Sequence, residues 1–440
     1  MNTNERLALA HWAVNEAKKA GANETSVNIT NSRDVEVEVR DQNIDKLQES
    51  TQNSLSINIY VNNRYSGQST NDLRKESLTR FISEAVAMTK YLSEDEFRSL
   101  PDPKYYEGQN KIDLKTYDDE YESLTTDKRV AFAKTIEDSS RSRSDKVITC
   151  NTGFSDSMYE SVKVHSNGFE GFSKSTVYSA GSESTVQGEG EDRPSDWCWH
   201  TYRFLKDLDK PELLGQEATD RALTKIGQKK IDSGIYDMVI ENRSASRLLG
   251  SLIGPLSASS IQQKRSFLDG KLGEKIASDN FTIIDDPHII SGFGSCLYDG
   301  DGIATKRRPI IENGILKSYY VDWYYGRKLG WEPTTSGTTN LVFNYGDKSL
   351  EQLIAQMKKG IFITGFIGGN SNSTTGDFSV GIIGTYVEDG KKVKPVNEMN
   401  ISGNLTDVLK QIVECGNDPW VYSAWRRPSM YFSNIQFSGV

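Results

Sequence analysis

The sequence predicts an α+β protein of about two domains, and three observations lead to that class. The chain has 440 residues, enough for about two domains with separate cores. Segments with apolar residues three to four apart, typical of helices, alternate with segments of period two, typical of strands. Residues 147–202 break into short alternating pieces, which predict a run of antiparallel strands.

The first ninety or so residues predict two helices and two strands. An amphipathic helix is predicted over residues 5–20, and strands over residues 27–39 and 54–61. The first strand has Val at alternate positions with charged residues between them, so one of its faces should be wet. Asn62-Asn63 predicts a turn, since Asn tolerates positive φ. With a second helix over residues 71–92, the segment predicts a βαβ-like or an α+β N-terminal layer.

The middle of the chain contains a predicted domain boundary. A helix over residues 125–138 precedes the antiparallel run, in which Asn167-Gly168 predicts a tight hairpin. Another helix is predicted over residues 211–231, and the boundary is expected shortly before it, between residues 190 and 210. The predicted units are an N-terminal α+β domain over residues 1–200 and a C-terminal domain over residues 201–440.

Residues 242–260 are the stretch around which the C-terminal half should be organised. Their apolar side chains recur at the spacing of one buried helix face, which predicts a core helix directly after a strand over residues 234–240. Ser244 or Ser246 is expected to cap its start, and Pro255 to kink or end it. A helix start offers free amides to an anion, but this stretch contains no His, Asp, Glu or Cys.

Further patterns predict the remaining C-terminal elements. Asn313-Gly314 indicates a hairpin within residues 310–321, and residues 388–392 (EDGKK) indicate a second hairpin turn. A last helix is predicted over residues 405–413, with Cys415-Gly416 at its end. Between these, residues 365–384 are rich in Gly, Ser, Thr and Asn.

Charge and composition exclude several classes of function. The net charge is -9, and no Lys/Arg cluster with interleaved aromatics is present, so direct nucleic-acid binding is not expected. The longest apolar stretches are too short and too Gly-rich to cross a bilayer, so a cytoplasmic protein is expected. The four cysteines are far apart without a C-x-x-C pair, which predicts reduced thiols rather than disulfides or a Cys-based zinc site.

Local motifs for catalysis or metal binding are weak. The chain has four histidines, and no two share a zinc-binding motif. Cys198 and His200 should point to one face of a strand, and packing is preferred there over a ligand pair. Residues 299–302 (DGDG) begin like a calcium loop, but isoleucines stand where oxygen ligands are required, so a turn is predicted. The glycines of residues 365–376 lack a phosphate-binding motif, and close approach to an extended peptide is an alternative use for them.

Three segments together resemble the TldD/PmbA family, long called modulator of DNA gyrase. The N-terminal segment is VEVRDQNIDKLQESTQNSLSINIYVNNRYSGQSTNDL. The middle segment is DGDGIATKRRPIIENGILKSYYVDWYYGRKLG, and the last is TTGDFSVGIIGTYVEDGKKVKPVNEMNISGNLTDVLKQIVECGND. The resemblance implies a two-domain α+β fold, with an N-terminal mixed α/β layer and a C-terminal domain with a large, mostly antiparallel sheet and helices.

The resemblance also implies which of two related subunit types this chain is. In that family the TldD type carries an H-E-x-x-x-H zinc motif on a helix after a strand, with a further Cys ligand near the C-terminus. Here Gly250, Ser251 and Pro255 stand at the His, Glu and His positions, and Cys415 is not in the place of the Cys ligand. The chain therefore looks like the TldE/PmbA type, with no catalytic residue and no metal, and with zinc expected in a TldD-type partner.

The function implied is that of a cytoplasmic metalloprotease assembly of two homologous subunits. The assembly would remove leader segments and degrade small unfolded peptides, including gyrase-directed peptides. This chain would supply half of a chamber, and it should be able to form a homodimer when alone. The residues expected to line the substrate path are Gly365, Gly368, Gly369, Thr375, Gly376 and Asp377.

Two other interpretations remain open from the sequence. The chain could be a self-sufficient peptidase with a site assembled from dispersed residues such as Asp285, His288 and Cys296. It could instead be a non-enzymatic, peptide-binding regulator. The absent metal motif argues against the first of these.

Overall fold

A computed structural model describes all 440 residues, and its mixture of helices and strands confirms the α+β class. No helix of the structure is long and apolar enough to cross a membrane. The elements of the N-terminal half are α1 (Thr3–Lys19), β1 (Glu24–Arg40), β2 (Asn43–Val61), β3 (Arg64–Thr70), α2 (Lys75–Thr89), α3 (Thr126–Ser142), β4 (Val147–His165), β5 (Glu170–Val186), β6 (Ser195–Tyr202) and α4 (Pro211–Leu223).

The first sheet has the strand order β3-β2-β1-β4-β5-β6, and all of its neighbours are antiparallel. Tight turns connect β1 to β2 and β2 to β3, with Asn62 and Asn63 at φ 47° and 61° as predicted. The βαβ-like alternative is therefore wrong, because such a unit requires parallel strands. The antiparallel run predicted after residue 147 is confirmed as β4, β5 and β6.

All four N-terminal helices pack on one face of the first sheet. On β1 the buried residues Val27, Ile29, Val37 and Val39 all have odd numbers, so they share a face. The first two pack with α1 and α2, and the last two pack with α3 and α4. The charged residues between them face outward, which confirms the strand with one wet face.

The C-terminal half contains two further sheets. The second sheet has the order β10-β9-β8-β11-β16, and the third has the order β14-β13-β12-β7-β17-β15. The elements of this half are β7 (Gly234–Ile240), α5 (Ser246–Ile253), α6 (Ala258–Gln262), β8 (Ile283–Asp285), β9 (Arg308–Glu312), β10 (Ile315–Leu316), α7 (Trp323–Leu329), β11 (Leu341–Phe343), α8 (Leu350–Ala355), β12 (Lys359–Ser371), β13 (Asp377–Glu388), β14 (Lys391–Asn404), α9 (Leu405–Lys410), β15 (Ile412–Cys415), β16 (Trp425–Arg426) and β17 (Met430–Ser438).

The third sheet carries the largest core. Within this sheet only β7 and β12 pair in parallel, so the expected large, mostly antiparallel sheet is confirmed. Since β14 also pairs with β17, five of its strands close into a ring of pairings. The core in which this sheet packs with α5, α6, α9 and the second sheet contains 41 buried residues.

The two halves meet where α4 ends and β7 begins. Helix α4 packs on α3 and on β5 and β6 of the first sheet. Its Arg221 donates two hydrogen bonds, of 2.7 and 2.8 Å, to the carboxylate of Glu241, which follows β7. The division into residues 1–200 and 201–440 stays a prediction.

Two helix predictions in the C-terminal half are wrong in detail. The core helix expected over residues 242–260 is two shorter helices, α5 and α6, with a turn at Pro255 between them. The helix expected over residues 405–413 ends at Lys410, and β15 follows it. Pairing of β15 with β17 buries Ile412 and Cys415, and this tertiary contact outweighs the local helical pattern.

Candidate functional site

Helix α5 lies at the centre of the candidate site, directly after β7. Its buried face consists of Leu248, Leu249 and Leu252, which pack into the main C-terminal core. The predicted serine cap is absent, since the N-cap residue of the helix is Ala245, which offers no side-chain hydrogen bond. The Ser244 hydroxyl instead donates a 2.6 Å hydrogen bond to the carbonyl of Thr364. The start of α5 is thereby joined to β12.

The three residues at the positions of the family's zinc motif do not form a set of metal ligands. Gly250 and Ser251 lie half-buried on α5, but the helix ends at Ile253, before the buried Pro255. The motif positions are therefore not on one helix face. A Cβ atom on Gly250 would meet only the Trp425 ring, at 4.0 Å, so there is space beside the helix. Glycine and proline offer no side-chain ligand, and a neutral serine hydroxyl is a poor substitute for imidazole or carboxylate.

The predicted path glycines lie beside α5, at the exposed end of β12. β7 pairs with β12 only over residues 360–363, so the edge of β12 beyond Ile363 has no neighbouring strand on that side. Gly368 and Gly369 are exposed there, with φ of +56° and +91°. A Cβ atom on Gly365 would meet only Ile383, at 3.8 Å. This free edge is suited to pairing with an extended chain.

Arg247 connects α5 to these glycines, although no sequence motif marks it as a functional residue. Its Nη2 donates to the carbonyl of Gly368 at 3.0 Å and to that of Gly369 at 3.4 Å. The side chain is exposed, so the contact can be exchanged for another partner. The only sequence signal was a cation inside an otherwise apolar and hydroxyl-rich helix.

Thr375 and Gly376 lie in the turn between β12 and β13, Asp377 begins β13, and the polar groups of this segment bind each other. The Thr375 hydroxyl donates to the Asp377 carboxylate at 2.7 Å, and the Asn404 amide donates to the Thr375 carbonyl at 2.8 Å. The hydrogen bonds from Thr375 and Asn404 lower the pKa of Asp377. The side chains of Thr375 and Asp377 are therefore already hydrogen-bonded within this segment. By contrast, β12 has no neighbouring strand on the α5 side at Gly365 to Gly369.

The dispersed residues do not form a nucleophile and base pair. Asp285 is fully buried and accepts hydrogen bonds from the backbone and hydroxyl of Thr339. His288 Nε2 lies 3.3 Å from the Thr305 hydroxyl, which donates to the Cys296 carbonyl at 2.6 Å. Burial raises the pKa of the Cys296 thiol to about 12, so very little thiolate exists at neutral pH.

The DGDG segment is a turn, as predicted. Asp299 Oδ1 accepts hydrogen bonds of 2.9 Å from the amides of Asp301 and Ile303, and its Oδ2 accepts one of 2.9 Å from Ser336. Asp301 accepts a 3.2 Å hydrogen bond from the amide of Trp323. Burial and the nearby Asp299 raise the pKa of Asp301 to about 6.

We expect Asp301→Asn to improve stability more at about pH 7.5 than at about pH 4. Because the folded-state pKa is raised, the folded protein binds the proton more tightly, and stability is lost as the pH rises through about 6. This shift in the pKa of Asp301 corresponds to a loss of about 3 kcal/mol of folding stability when the carboxyl ionises, and Asn avoids the loss because its amide does not ionise. Denaturant unfolding of both proteins at both pH values measures the effect. Equal differences at the two pH values would contradict the expected titration.

Cys198 and His200 lie side by side on β6, both buried. Their Sγ and Nε2 atoms are 3.7 Å apart, so the predicted common orientation is confirmed. The His200 ring also stacks on Tyr422 of the C-terminal half, with 3.6 Å between ring centroids. This contact packs the segment before β16 onto the first sheet.

Comparison with known proteins gives matches along most of the chain. Residues 119–226 match the PmbA/TldA metallopeptidase central domain, and residues 233–439 match the C-terminal domain of the same family. The protein named Metalloprotease PmbA from Escherichia coli O157:H7 is 29% identical over 397 residues, covering 89% of this chain and 87% of that protein.

Solved structures share the whole fold. A proposed modulator of DNA gyrase from Bacteroides thetaiotaomicron superposes with a TM-score of 0.97 at 43% identity, covering 100% of both chains. TldE from Thermococcus kodakarensis superposes with a TM-score of 0.87 at 22% identity, covering 98% of this chain and 100% of that one. The second likeness concerns the fold alone.

Proposed function

Because this chain belongs to the PmbA/TldD metallopeptidase family, we propose that it is a TldE/PmbA-type subunit without the catalytic metal, working within a TldD/TldE-type metalloprotease. The single observation that carries the proposal is the composition of α5. Gly250 and Ser251 lack the ligands and the general base of a zinc peptidase, and Pro255 lies beyond the end of the helix.

The length of α5 also supports the proposal. A zinc motif of the H-E-x-x-x-H type needs both histidines presented towards the same ion. Helix α5 has eight residues and ends two positions before Pro255. The third motif position therefore lies outside the helix in this chain, where it is occupied by Pro255.

The proposed substrates are small unfolded peptides, which bind largely through their backbone. The edge of β12 beyond Ile363 has no neighbouring strand next to α5, and the glycines there allow close approach. A peptide paired along this edge would run past the space beside Gly250. Gyrase-directed peptides are among the proposed substrates, and the proposed location is the cytoplasm.

The proposed partner is a TldD-type homologous subunit that supplies the zinc. In the absence of that partner we expect this chain to form a homodimer, since homologous subunits that pair with each other often also self-associate. The two states can be distinguished by light scattering of the chain alone and after mixing.

A peptidase assay with three samples tests the proposed function. The samples are this chain alone, its TldD-type homologue alone, and the two mixed, each with the same unfolded peptide. We expect no cleavage by this chain alone and chelator-sensitive cleavage that rises on mixing. Ser251→Ala in this chain should leave the activity of the mixture unchanged, since Ser251 has no role as a base. Chelator-sensitive cleavage by this chain alone would overturn the proposal.

A further inference from the structure

Three side chains with metal-binding atoms converge between β6 and α4, and none of them belongs to α5. Cys198 and His200 lie on β6, and Glu217 lies on α4. Their Sγ, imidazole nitrogen and carboxylate oxygen atoms all lie within 4.8 Å of one another. One thiol, one imidazole and one carboxylate form a set of donors that suits Zn²⁺.

The spacing of the two strand ligands agrees with tetrahedral zinc. Zinc bonds of about 2.3 Å to sulfur and about 2.0–2.1 Å to nitrogen, at a tetrahedral angle, place the two ligand atoms about 3.6 Å apart. The observed distance from Cys198 Sγ to His200 Nε2 is 3.7 Å. The two residues are two apart on one strand, so both side chains point to the same face without any change in the backbone.

The imidazole of His200 is held in the orientation that a metal ligand requires. Its Nδ1 lies 2.7 Å from Asp209 Oδ2, which also accepts hydrogen bonds from Tyr202 at 2.9 Å and Tyr422 at 3.1 Å. With its proton on Nδ1, His200 directs the lone pair of Nε2 towards Cys198. Carboxylate, imidazole and metal in this sequence are a recurring arrangement in metal sites.

The burial of Cys198 favours a metal site over a site for nucleophilic catalysis. Cys198, His200 and Asp209 have the order of a cysteine nucleophile, base and orienting acid. However, Cys198 is fully buried, and burial raises the pKa of its thiol, so a peptide carbonyl cannot reach a reactive thiolate. A single ion needs far less space, and Glu217, with 46% of its side chain exposed, leaves a route from solvent.

Arg243 is the competing cation near this cluster. Its Nη1 lies 3.4 Å from Glu217 Oε1, and its guanidinium lies 3.8 Å above the centroid of the Trp197 ring. Arg243 also donates to the Trp197 carbonyl, so it is held without Glu217. Glu217 can therefore exchange this 3.4 Å contact for a metal ion, because Glu241 and Asp196 remain near the buried Arg243 as counter-charges.

We propose that Cys198, His200 and Glu217 bind one Zn²⁺ ion, with a water molecule as the fourth ligand. The Cys198 thiol releases its proton to solvent when the zinc–sulfur bond forms. The ion joins β6 to α4 next to the Tyr422 ring. This site is separate from the α5 positions, so it is not the catalytic zinc of a peptidase and does not depend on the proposed function.

Titration of the full chain with Co²⁺ tests the site, because cobalt in place of zinc reports its ligands by absorption. We expect one equivalent to bind, with visible bands of four-coordinate cobalt and a near-ultraviolet thiolate-to-cobalt band, and Zn²⁺ should displace it. Glu217→Gln should weaken binding at least about tenfold, and Asp209→Asn about 10- to 100-fold. Cys198→Ser should abolish the thiolate band. Glu212→Gln, an exposed carboxylate on the same helix, is the matched control.

The outcomes separate a metal site from a hydrogen bond. If Co²⁺ and Zn²⁺ bind no better to the native chain than to the Glu217→Gln and Cys198→Ser variants, the cluster is only a thiol hydrogen-bonded to an imidazole, and the proposal is overturned. Binding without a thiolate band would likewise overturn it. Glu217 is exposed, so its substitution should leave the fold intact, and circular dichroism of each variant verifies this.

Discussion

Replacing Asp156 with Asn should lower the free energy of unfolding by about 3–5 kcal/mol. Asp156 on β4 and Arg129 on α3 form an ion pair in which the side chains are 0% and 1% exposed. Arg129 donates to both carboxylate oxygens, at 2.5 and 2.9 Å, and to the carbonyl of Leu124 at 2.6 Å. Asparagine keeps the shape but leaves the buried guanidinium without a counter-charge, and this uncompensated charge is the source of the loss.

Denaturant unfolding followed by far-ultraviolet circular dichroism measures this loss as a shift in midpoint. The control is Arg143→Met, which breaks the pair between Arg143 and Asp220, whose side chains are 46% and 47% exposed. Solvent screens an exposed pair, so its loss should have little effect on stability. A double variant, Arg129→Met with Asp156→Leu, should lose less than Asp156→Asn, because no buried charge remains. Equal losses for the buried and exposed pairs would contradict the argument.

The strands of the first sheet were predictable only where one face is apolar. Residues 27–39 alternate valine with charged residues, and β1 is found there. The strand β2 begins at Asn43, far before the predicted residue 54. Its early residues are mostly polar, and the two apolar ones, Ile44 and Leu47, do not share the parity of one strand face, so no period-two pattern exists to detect. They are nevertheless in a strand because all of them except Asp45, which lies at a shift in register, pair with β1.

The candidate site was predictable in position but not in its contacts. Hydrophobic spacing located α5 within residues 242–260, and Pro255 indicated where it ends. The failure of the serine cap could not be foreseen, because Ser244 bonds to Thr364, 120 residues away in the chain. The contact of Arg247 with the β12 glycines is hidden for the same reason, since sequence spacing carries no information about distant strands.

The contacts around His200 were also hidden in the sequence, because they join residues from several distant segments. Cys198 and His200 could be placed on one face from their spacing alone. Glu217 comes from α4, Asp209 from the connection between β6 and α4, and Tyr422 from the other half of the chain. Packing of α4 on β6 decides that these groups meet, and no local pattern records it.

Gly365→Trp in this chain should lower kcat/KM of the mixed peptidase about tenfold to thirtyfold. A Cβ atom at this position meets only Ile383, at 3.8 Å, so a side chain can begin there without a backbone clash, and its bulk covers the part of β12 that has no neighbouring strand. A peptide displaced there loses about two backbone hydrogen bonds of about 1 kcal/mol each, which corresponds to that factor. The measurement is cleavage of an unfolded peptide by the mixture, with thermal unfolding of each chain recorded alongside.

The matched control is Val393→Trp, which places the same side chain on β14 at a position that is 55% exposed. This residue lies near the turn between β13 and β14, at the other end of β13 from the glycines. We expect normal cleavage with Val393→Trp and a higher KM with Gly365→Trp, because backbone pairing contributes to substrate binding before any bond is broken. Full activity of the Gly365→Trp mixture would show that peptides bypass this edge, and the substrate path would then have to lie elsewhere around α5.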